Sequence, residues 1–131
     1  MYSRPLEVYK ATDKATMSGR EIEASVLTEA ALKLKDCQDH WDAEDRDVKL
    51  NEAFRFNQLI WSIFQGELVR PDHPLPKPLR RNILSLSTFI DTRIFETMAY
   101  PSPEKLTAII NINLNIAAGL KGSPVEEQTL P

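Results

Sequence analysis

The amino-acid sequence predicts an all-α protein, a small up-and-down bundle of four main helices. Apolar residues recur at spacings of three and four along four segments, which is the period of an amphipathic α-helix. Prolines and glycines, which interrupt helices, fall mainly between these segments or near their ends. The 131 residues suffice for one domain with its own hydrophobic core, but not for two domains of ordinary size.

The predicted domain organisation has three parts. They are a leader over residues 1–17, a single helical domain over residues 18–120, and a disordered, flexible tail over residues 121–131. In the leader, Pro5 disfavours the helical conformation of the residue before it, so no helix is expected earlier. Beyond Pro5, we expect Leu6, Val8 and Tyr9 to pack in one short helical turn.

The first helix of the domain begins near Ser18. Ser18 and Glu21 have the spacing of a capping box, in which each side chain binds a free backbone N–H of the first turn. The apolar stripe of this helix consists of Ile22, Val26, Ala30, Leu34, Cys37 and Trp41. Six acidic side chains and one arginine then fall within residues 36–47, which predicts a solvated connection.

The second helix covers about residues 46–66 and carries an amide among apolar residues. Its stripe consists of Leu50, Phe54, Asn57, Trp61, Phe64 and Leu68. Gly66 near its end permits a left-handed C-cap. A buried amide without partners costs about 1–3 kcal/mol. We therefore expect Asn57, and Asn113 in the fourth helix, to bond to a backbone group or to each other and so fix the register between helices.

A proline-rich loop separates the second helix from the third. Four prolines occur within residues 70–78, and each removes a backbone donor, so this stretch cannot continue a helix. Pro78 suits the first turn of a third helix over about residues 77–99. The stripe of the third helix consists of Leu79, Ile83, Leu86, Ile90 and Ile94.

The fourth helix covers about residues 103–119. Its start signal is Ser102 followed by Pro103, a capping side chain before a first-turn proline. Its stripe consists of Leu106, Ile109, Ile110, Asn113, Ile116, Ala117 and Leu120. The β-branched residues within 109–112 also fit a strand, but the length and period of the segment favour a helix. Gly119 predicts the end of this helix.

The sequence contains no recognisable catalytic motif, and we predict a protein that is not an enzyme and takes no cofactor or metal. The single cysteine, Cys37, lies on an apolar stripe, which favours a buried thiol. The alternative is a nucleophile activated by His40, which lies one helical turn away. His40, Asp36 and Asp39 also offer ligand types that zinc accepts, although a solvated charge run explains these acids more simply.

Charge and hydropathy limit the remaining classes of function. The formal net charge of −3 argues against direct nucleic-acid binding, which needs clustered basic residues. One small basic cluster consists of Arg70, Lys77, Arg80 and Arg81. It lacks interleaved aromatic residues, which disfavours RNA. The remaining interpretations are salt bridges to the acidic connection, a solvated helix start, or a partner contact. No apolar run approaches membrane-spanning length and no signal peptide is recognisable, so we expect a cytoplasmic protein without membrane insertion.

Five short pieces of sequence occur in a defined order between about residues 50 and 120. They are Asn57-Gln58-Leu59-Ile60-Trp61, Leu75-Pro76-Lys77-Pro78-Leu79-Arg80, Ile83-Leu84-Ser85-Leu86, Ile110-Asn111-Ile112-Asn113 and Gly119-Leu120. Together these pieces resemble the FlaF family of flagellar biosynthesis regulators. The chain departs from the family pattern at Asn111, where aspartate is more usual, and at His73-Pro74, where an asparagine is expected.

The resemblance implies a non-enzymatic adaptor of bacterial flagellum biogenesis that couples flagellin synthesis to export. Its implied partners are flagellin, which it would bind as a chaperone for type III secretion, and the regulator FlbT. The alternative is a regulator that acts through FlbT on flagellin translation, or directly on the flagellin message. We expect a helical segment of flagellin to dock in a groove between the second and third helices. The predicted partner-binding residues are Phe54, Asn57, Trp61, Phe64, Leu79, Arg80 and Ile83.

Overall fold

The computed structural model of the protein describes residues 19–129, with side chains from residue 19 to residue 121. Four α-helices and one short 3₁₀ helix form the regular structure of this part of the chain, and no strand occurs in it. The helices are α1 (Gly19–Asp39), α2 (Arg46–Leu68), α3 (Lys77–Ala99) and α4 (Thr107–Thr129), with the 3₁₀ helix at Pro103–Leu106. The predicted all-α class and four-helix bundle are confirmed.

The structure can be compared with the prediction at only one end of the chain. The predicted leader with its helical turn, and Ser18 of the predicted capping box, lie outside the described residues. At the other end, α4 continues through Gly119 to Thr129, so helix covers most of the predicted tail. Gly119 does not adopt the left-handed conformation that ends many helices. A glycine inside a helix only lowers its stability, by about 1 kcal/mol relative to alanine.

Helix α1 is the central element of the bundle. It packs most extensively against α4 and next against α2. Its buried side chains are Ile22, Ala24, Val26, Leu27, Ala30, Ala31, Leu34 and Cys37. The three buried alanines let neighbouring helices come close to the α1 backbone, and Asn57 of α2 reaches the carbonyl oxygen of Ala30 at 3.1 Å.

Helix α3 packs less extensively, against α2, α4 and the 3₁₀ helix. Its buried side chains are Ser87, Ile90, Ile94 and Thr97. Both polar side chains make hydrogen bonds. Ser87 Oγ accepts one from Gln65 Nε2 of α2, and the Thr97 hydroxyl donates one to the carbonyl oxygen of Arg93 at 2.7 Å. The α3 contribution to the core is therefore small, and half of these buried residues are polar.

The acidic connection between α1 and α2 is shorter than predicted, because α1 extends to Asp39. Its acidic side chains are exposed, as expected for a solvated charge run. Trp41, predicted at the end of the first stripe, lies in this connection, with the Arg46 guanidinium carbon 4.2 Å from its ring centroid. Nearby, Gln38 Nε2 donates to the carbonyl oxygen of Pro103 at 2.9 Å, which joins the end of α1 to the start of the 3₁₀ helix.

Besides the end predicted at Gly119, two further predictions about helix ends were wrong. Helix α2 passes through Gly66 and ends at Leu68 with a right-handed C-cap, so Gly66 is not its cap. Ser102 is extended before the 3₁₀ helix, but its hydroxyl makes no capping hydrogen bond. The prolines lie where the sequence predicts, since Pro78 and Pro103 each occupy the first turn of a helix.

Candidate partner-binding groove

Three of the predicted partner-binding residues, Phe54, Asn57 and Trp61, lie in the core of the bundle. Phe54 is 2% exposed, and Asn57 and Trp61 are completely buried. Spacings of three and four place all three on one face of α2, and that face is turned inward. They do not belong to an accessible surface, so a partner could contact them only if the bundle opened.

A chain of side-chain hydrogen bonds crosses the core through these residues. Trp61 Nε1 donates to Asn113 Oδ1 at 2.7 Å, and Asn113 Nδ2 donates to Asn57 Oδ1 at 2.6 Å. Asn57 Nδ2 donates to the carbonyl oxygens of Ala30 at 3.1 Å and Ala53 at 2.9 Å. The network joins α2 to α4 and α1. The prediction that each asparagine bonds to a backbone group or to the other asparagine is confirmed.

A groove of about 410 Å³ opens at the end of the bundle where α1 begins and α2 ends. We call it the mouth groove. Its apolar lining consists of Phe64 and Leu68 of α2, Leu75 of the following loop, Ile83 of α3, and Ile116 and Leu120 of α4. Two of the predicted site residues, Phe64 and Ile83, are therefore brought together on an accessible, concave surface.

Phe64 connects the mouth groove to the buried network. Its ring meets that of Trp61 edge to face, with the centroids 5.8 Å apart and the planes at 81°. Phe64 is half-buried, so part of its ring remains available in the groove while the rest packs on the core. The Trp61 indole is thus separated from the groove by a single side chain, and its fluorescence should respond to a ligand there.

Arg80 holds the loop that forms one wall of the mouth groove. Its Nη1 donates to the carbonyl oxygen of Leu68 at 3.2 Å and to that of Arg70 at 2.9 Å. Carbonyl groups at the end of a helix have no partner within the helix, and a cation there also complements the negative end of the helix dipole. Arg80, predicted to contact a partner, thus has an internal role that positions the loop.

Interactions within the loop also hold it in place. Arg70 Nη2 lies 3.2 Å from a carboxylate oxygen of Asp72, and this hydrogen-bonded guanidinium lowers the pKa of Asp72 below its usual range. His73 Nδ1 accepts a hydrogen bond from the backbone N–H of Leu75 at 3.2 Å. The ion pair of Arg70 is therefore with Asp72 of its own loop, and not with the acidic connection between α1 and α2 as predicted.

Leu79 is the remaining residue of the predicted site. It is 44% exposed, lies outside the groove lining, and precedes Ile83 by one helical turn. The surface left from the sequence prediction therefore consists of Phe64, Leu79 and Ile83. Partner binding at this surface stays a prediction.

Sequence reasoning did not identify what α1 and α4 contribute to the groove. Ile116 and Leu120 were expected only as stripe residues of the fourth helix, and Gly19 and Glu23 were not considered as site residues. Their positions at the groove depend on where α1 begins and α2 ends relative to α4. The hydrophobic period of a single helix does not contain that information.

The geometry around Cys37 disfavours the nucleophile hypothesis. Cys37 is 4% exposed, and burial, together with the nearby charge of Asp36, raises the pKa of its thiol. A raised pKa disfavours the reactive thiolate. His40 is exposed, and its Nδ1 lies 3.0 Å from the carbonyl oxygen of Asp36. The prediction of a buried cysteine is confirmed.

The structure also bears on metal binding and membrane insertion. His40 Nδ1 lies 3.2 Å from a carboxylate oxygen of Asp36, which is one pair from the zinc alternative. Among the described residues, however, no three His, Cys, Asp or Glu side chains are grouped so that they could hold a metal ion. In the same part of the chain, no helix has the length and apolar character required to cross a membrane.

Comparison with protein families covers most of the bundle. The family described as flagellar protein FlaF matches residues 6–120. This range contains α1, α2, α3 and the part of α4 that reaches the mouth groove, and it starts well before α1. The chain belongs to the FlaF family. It therefore has a role connected with the flagellum, and the resemblance drawn from five pieces of sequence is confirmed.

Other comparisons add nothing to this assignment. No curated protein and no solved structure showed significant similarity to the chain. FlaF is a flagellar regulatory or structural family and is not a known enzyme family.

Proposed function

We propose that this FlaF protein is a non-enzymatic adaptor of flagellum biogenesis that binds flagellin as a secretion chaperone. The mouth groove is the observation that carries the proposal, because it is a concave, mainly apolar surface on a protein of a flagellar family. Grooves between helices accept the apolar face of an amphipathic helix from a partner. The role is cytoplasmic, because a secretion chaperone meets its client before export.

The chemistry of the groove suits a protein partner. The centre is apolar, and the rim carries Glu23, Glu67, Asp72, Arg20 and Arg70. An apolar centre with a charged rim is the usual arrangement of a protein interface, in which a few anchor side chains supply most of the affinity. The rim charges contribute mainly to the orientation of the partner and to the association rate.

A second candidate function is regulation of flagellin translation through FlbT. It is favoured by a separate exposed patch at the end of α3, where Phe95 and Tyr100 are each 76% exposed and Met98 is 54% exposed. Exposed apolar patches often mark protein contacts. Direct action on the flagellin message is the weaker form of this candidate, since the net charge is −3 and RNA binding needs clustered basic residues.

Pairwise reconstitution tests the two candidates. The purified protein, flagellin and FlbT are mixed in pairs at micromolar concentrations, and complex formation is followed by titration calorimetry and by Trp fluorescence. We expect flagellin to bind and the emission of Trp61 to change, because Phe64 lies between its indole and the groove. No association with flagellin would sink the chaperone proposal, and association with FlbT alone would move the function to regulation.

A pair of matched variants locates the binding surface. Leu75→Asp places a charge in the groove wall, on a loop residue that is only half-buried. Leu32→Asp makes the same change on α1, at a side chain that is 56% exposed and lies outside the mouth groove. We expect the first variant to weaken flagellin binding at least about tenfold, or about 1.4 kcal/mol, and the second to leave it unchanged. Equal weakening by both variants would place the flagellin site elsewhere.

A further inference from the structure

We propose that the segment of residues 1–18 occupies the mouth groove when no partner is bound, so that flagellin must displace it. The identity of the displacing partner rests on the proposed function above. The occupancy of the groove by the chain's own N-terminal segment does not, and it is tested separately below.

The segment is attached to the bundle at the mouth groove. Gly19 and Arg20, the first two residues of α1, line the mouth groove, so residues 1–18 join the bundle at the groove itself. Between Val8 and Gly19 an extended chain can span roughly 36–40 Å, which is ample to return across the opening. A segment tethered this closely is present at an effective concentration of about millimolar.

The range of the family match includes most of this segment. The match begins at residue 6, so it includes more than ten residues that precede α1. It starts at the first of three clustered apolar residues, Leu6, Val8 and Tyr9. Burial of these apolar side chains would be favourable, and the mouth groove is an apolar cavity at their point of attachment.

Charge distinguishes this segment from the other end of the chain. Residues 1–18 carry three basic and two acidic side chains, whereas the groove rim carries three acidic and two basic ones. The C-terminal residues 122–131 contain Glu126 and Glu127 and no basic residue. A segment with excess negative charge is disfavoured at a rim with the same excess, so the N-terminal segment is the complementary occupant.

Disulfide trapping in the full-length chain tests the occupancy. One variant combines Val8→Cys with Leu120→Cys, in the groove, and the control combines Val8→Cys with Leu114→Cys, which lies on another face of α4 and lines a different cavity. The native Cys37 is buried and stays in both. Under mild oxidation of dilute protein, we expect the groove pair to form an intramolecular disulfide at least about tenfold faster. Equal rates, or no disulfide in the groove pair, would overturn the proposal.

Substitutions in the segment itself test whether the rate difference comes only from the reactivity of the introduced cysteines. Leu6→Asp, added to the groove pair, should slow disulfide formation because it removes an apolar contact. Thr12→Asp adds the same charge outside the apolar cluster and should leave the rate within about twofold. Circular dichroism of each variant confirms that the bundle is folded. If both substitutions slow the reaction equally, the apolar residues do not hold the segment in the groove, and the proposal fails.

Flagellin supplies the final comparison. Saturating flagellin should slow disulfide formation in the groove pair at least about fivefold. The Leu6→Asp variant without added cysteines should bind flagellin more tightly than the unmodified chain does. If flagellin binds but leaves the disulfide rate unchanged, it does not displace the segment from the groove, and the proposal is overturned. If flagellin binds none of the variants, the proposed function fails, while the disulfide rates still decide whether the segment occupies the groove.

Discussion

The α1–α2–α4 side of the bundle and the α3 side differ in how completely they bury their side chains. On the first side, Leu27, Leu34 and Trp61 are completely buried, and a satisfied polar network crosses between the helices. On the second side, Phe95 and Tyr100 are each 76% exposed. We infer from this difference that α1, α2 and α4 specify the fold, whereas α3 leaves large apolar side chains exposed at the surface.

The buried network explains how the first side specifies one arrangement. Replacing a buried polar pair by apolar residues is often nearly neutral for stability, so the amides are not needed for affinity between the helices. In a shifted register, however, Asn57 and Asn113 would miss each other, and each unpaired amide would cost about 1–3 kcal/mol. The network thus penalises wrong registers. On the α3 side, the bond between Gln65 and Ser87 has only one partner fully buried.

The largest effect on stability is expected from Asn113→Leu. The substitution keeps a side chain of similar size but leaves Trp61 Nε1 without an acceptor and Asn57 Oδ1 without a donor. We expect a loss of about 2–4 kcal/mol in the free energy of unfolding, because two buried polar groups lose their partners. Urea unfolding followed by circular dichroism measures the loss.

The matched control for this variant is Asn111→Leu, which makes the same chemical change on α4 at an exposed position. It should alter the free energy of unfolding by no more than about 0.5 kcal/mol. If the two variants are equally stable, the buried network does not hold the helices in register, and the contrast between the two sides of the bundle loses its basis.

An intermediate effect is expected from Arg80→Met, which removes the link between α3 and the end of α2. Two carbonyl oxygens lose a charged donor, but the site is partly exposed and water replaces it in part. We expect a stability loss of about 1 kcal/mol and a larger, roughly tenfold, loss of flagellin affinity, since the loop wall is no longer positioned.

The neighbouring arginine provides the control for Arg80. Arg81→Met removes the same charge from an exposed position, for which the structure shows no hydrogen bond to the loop. It should change neither stability nor binding measurably. An equal loss of flagellin affinity in both variants would mean that the net positive charge at this end of α3, and not the loop position, determines binding.

The sequence predicted the features that depend on the spacing of apolar residues within a helix or on the need of buried polar groups for hydrogen-bond partners. The four helices follow from apolar spacing, and the pairing of Asn57 with Asn113 follows from the need of buried amides for partners. Helix ends were less predictable. Gly66 and Gly119 lie inside helices, because neighbouring turns and tertiary packing outweigh a propensity penalty of about 1 kcal/mol.

The candidate site was predictable only in part. Trp61 and Phe64 are three residues apart on one stripe, yet the first is completely buried and the second lines the mouth groove. The stripe itself cannot distinguish them, because the difference arises where α2 runs past its neighbours. The role of Arg80 was missed for a similar reason, since its acceptors lie 10 and 12 residues away at the end of another helix.

The smallest effect is expected from Phe95→Ser, on the exposed side of α3. The side chain is 76% exposed, so its removal should change the free energy of unfolding by no more than about 0.5 kcal/mol. Along the α3 axis, Phe95 lies about 18 Å from Ile83 in the mouth groove, so flagellin affinity should also be unchanged. Urea unfolding and titration calorimetry measure the two quantities. A loss of FlbT binding with flagellin binding intact would make this patch a second docking surface. A loss of flagellin binding would instead move the flagellin site from the groove to the end of α3.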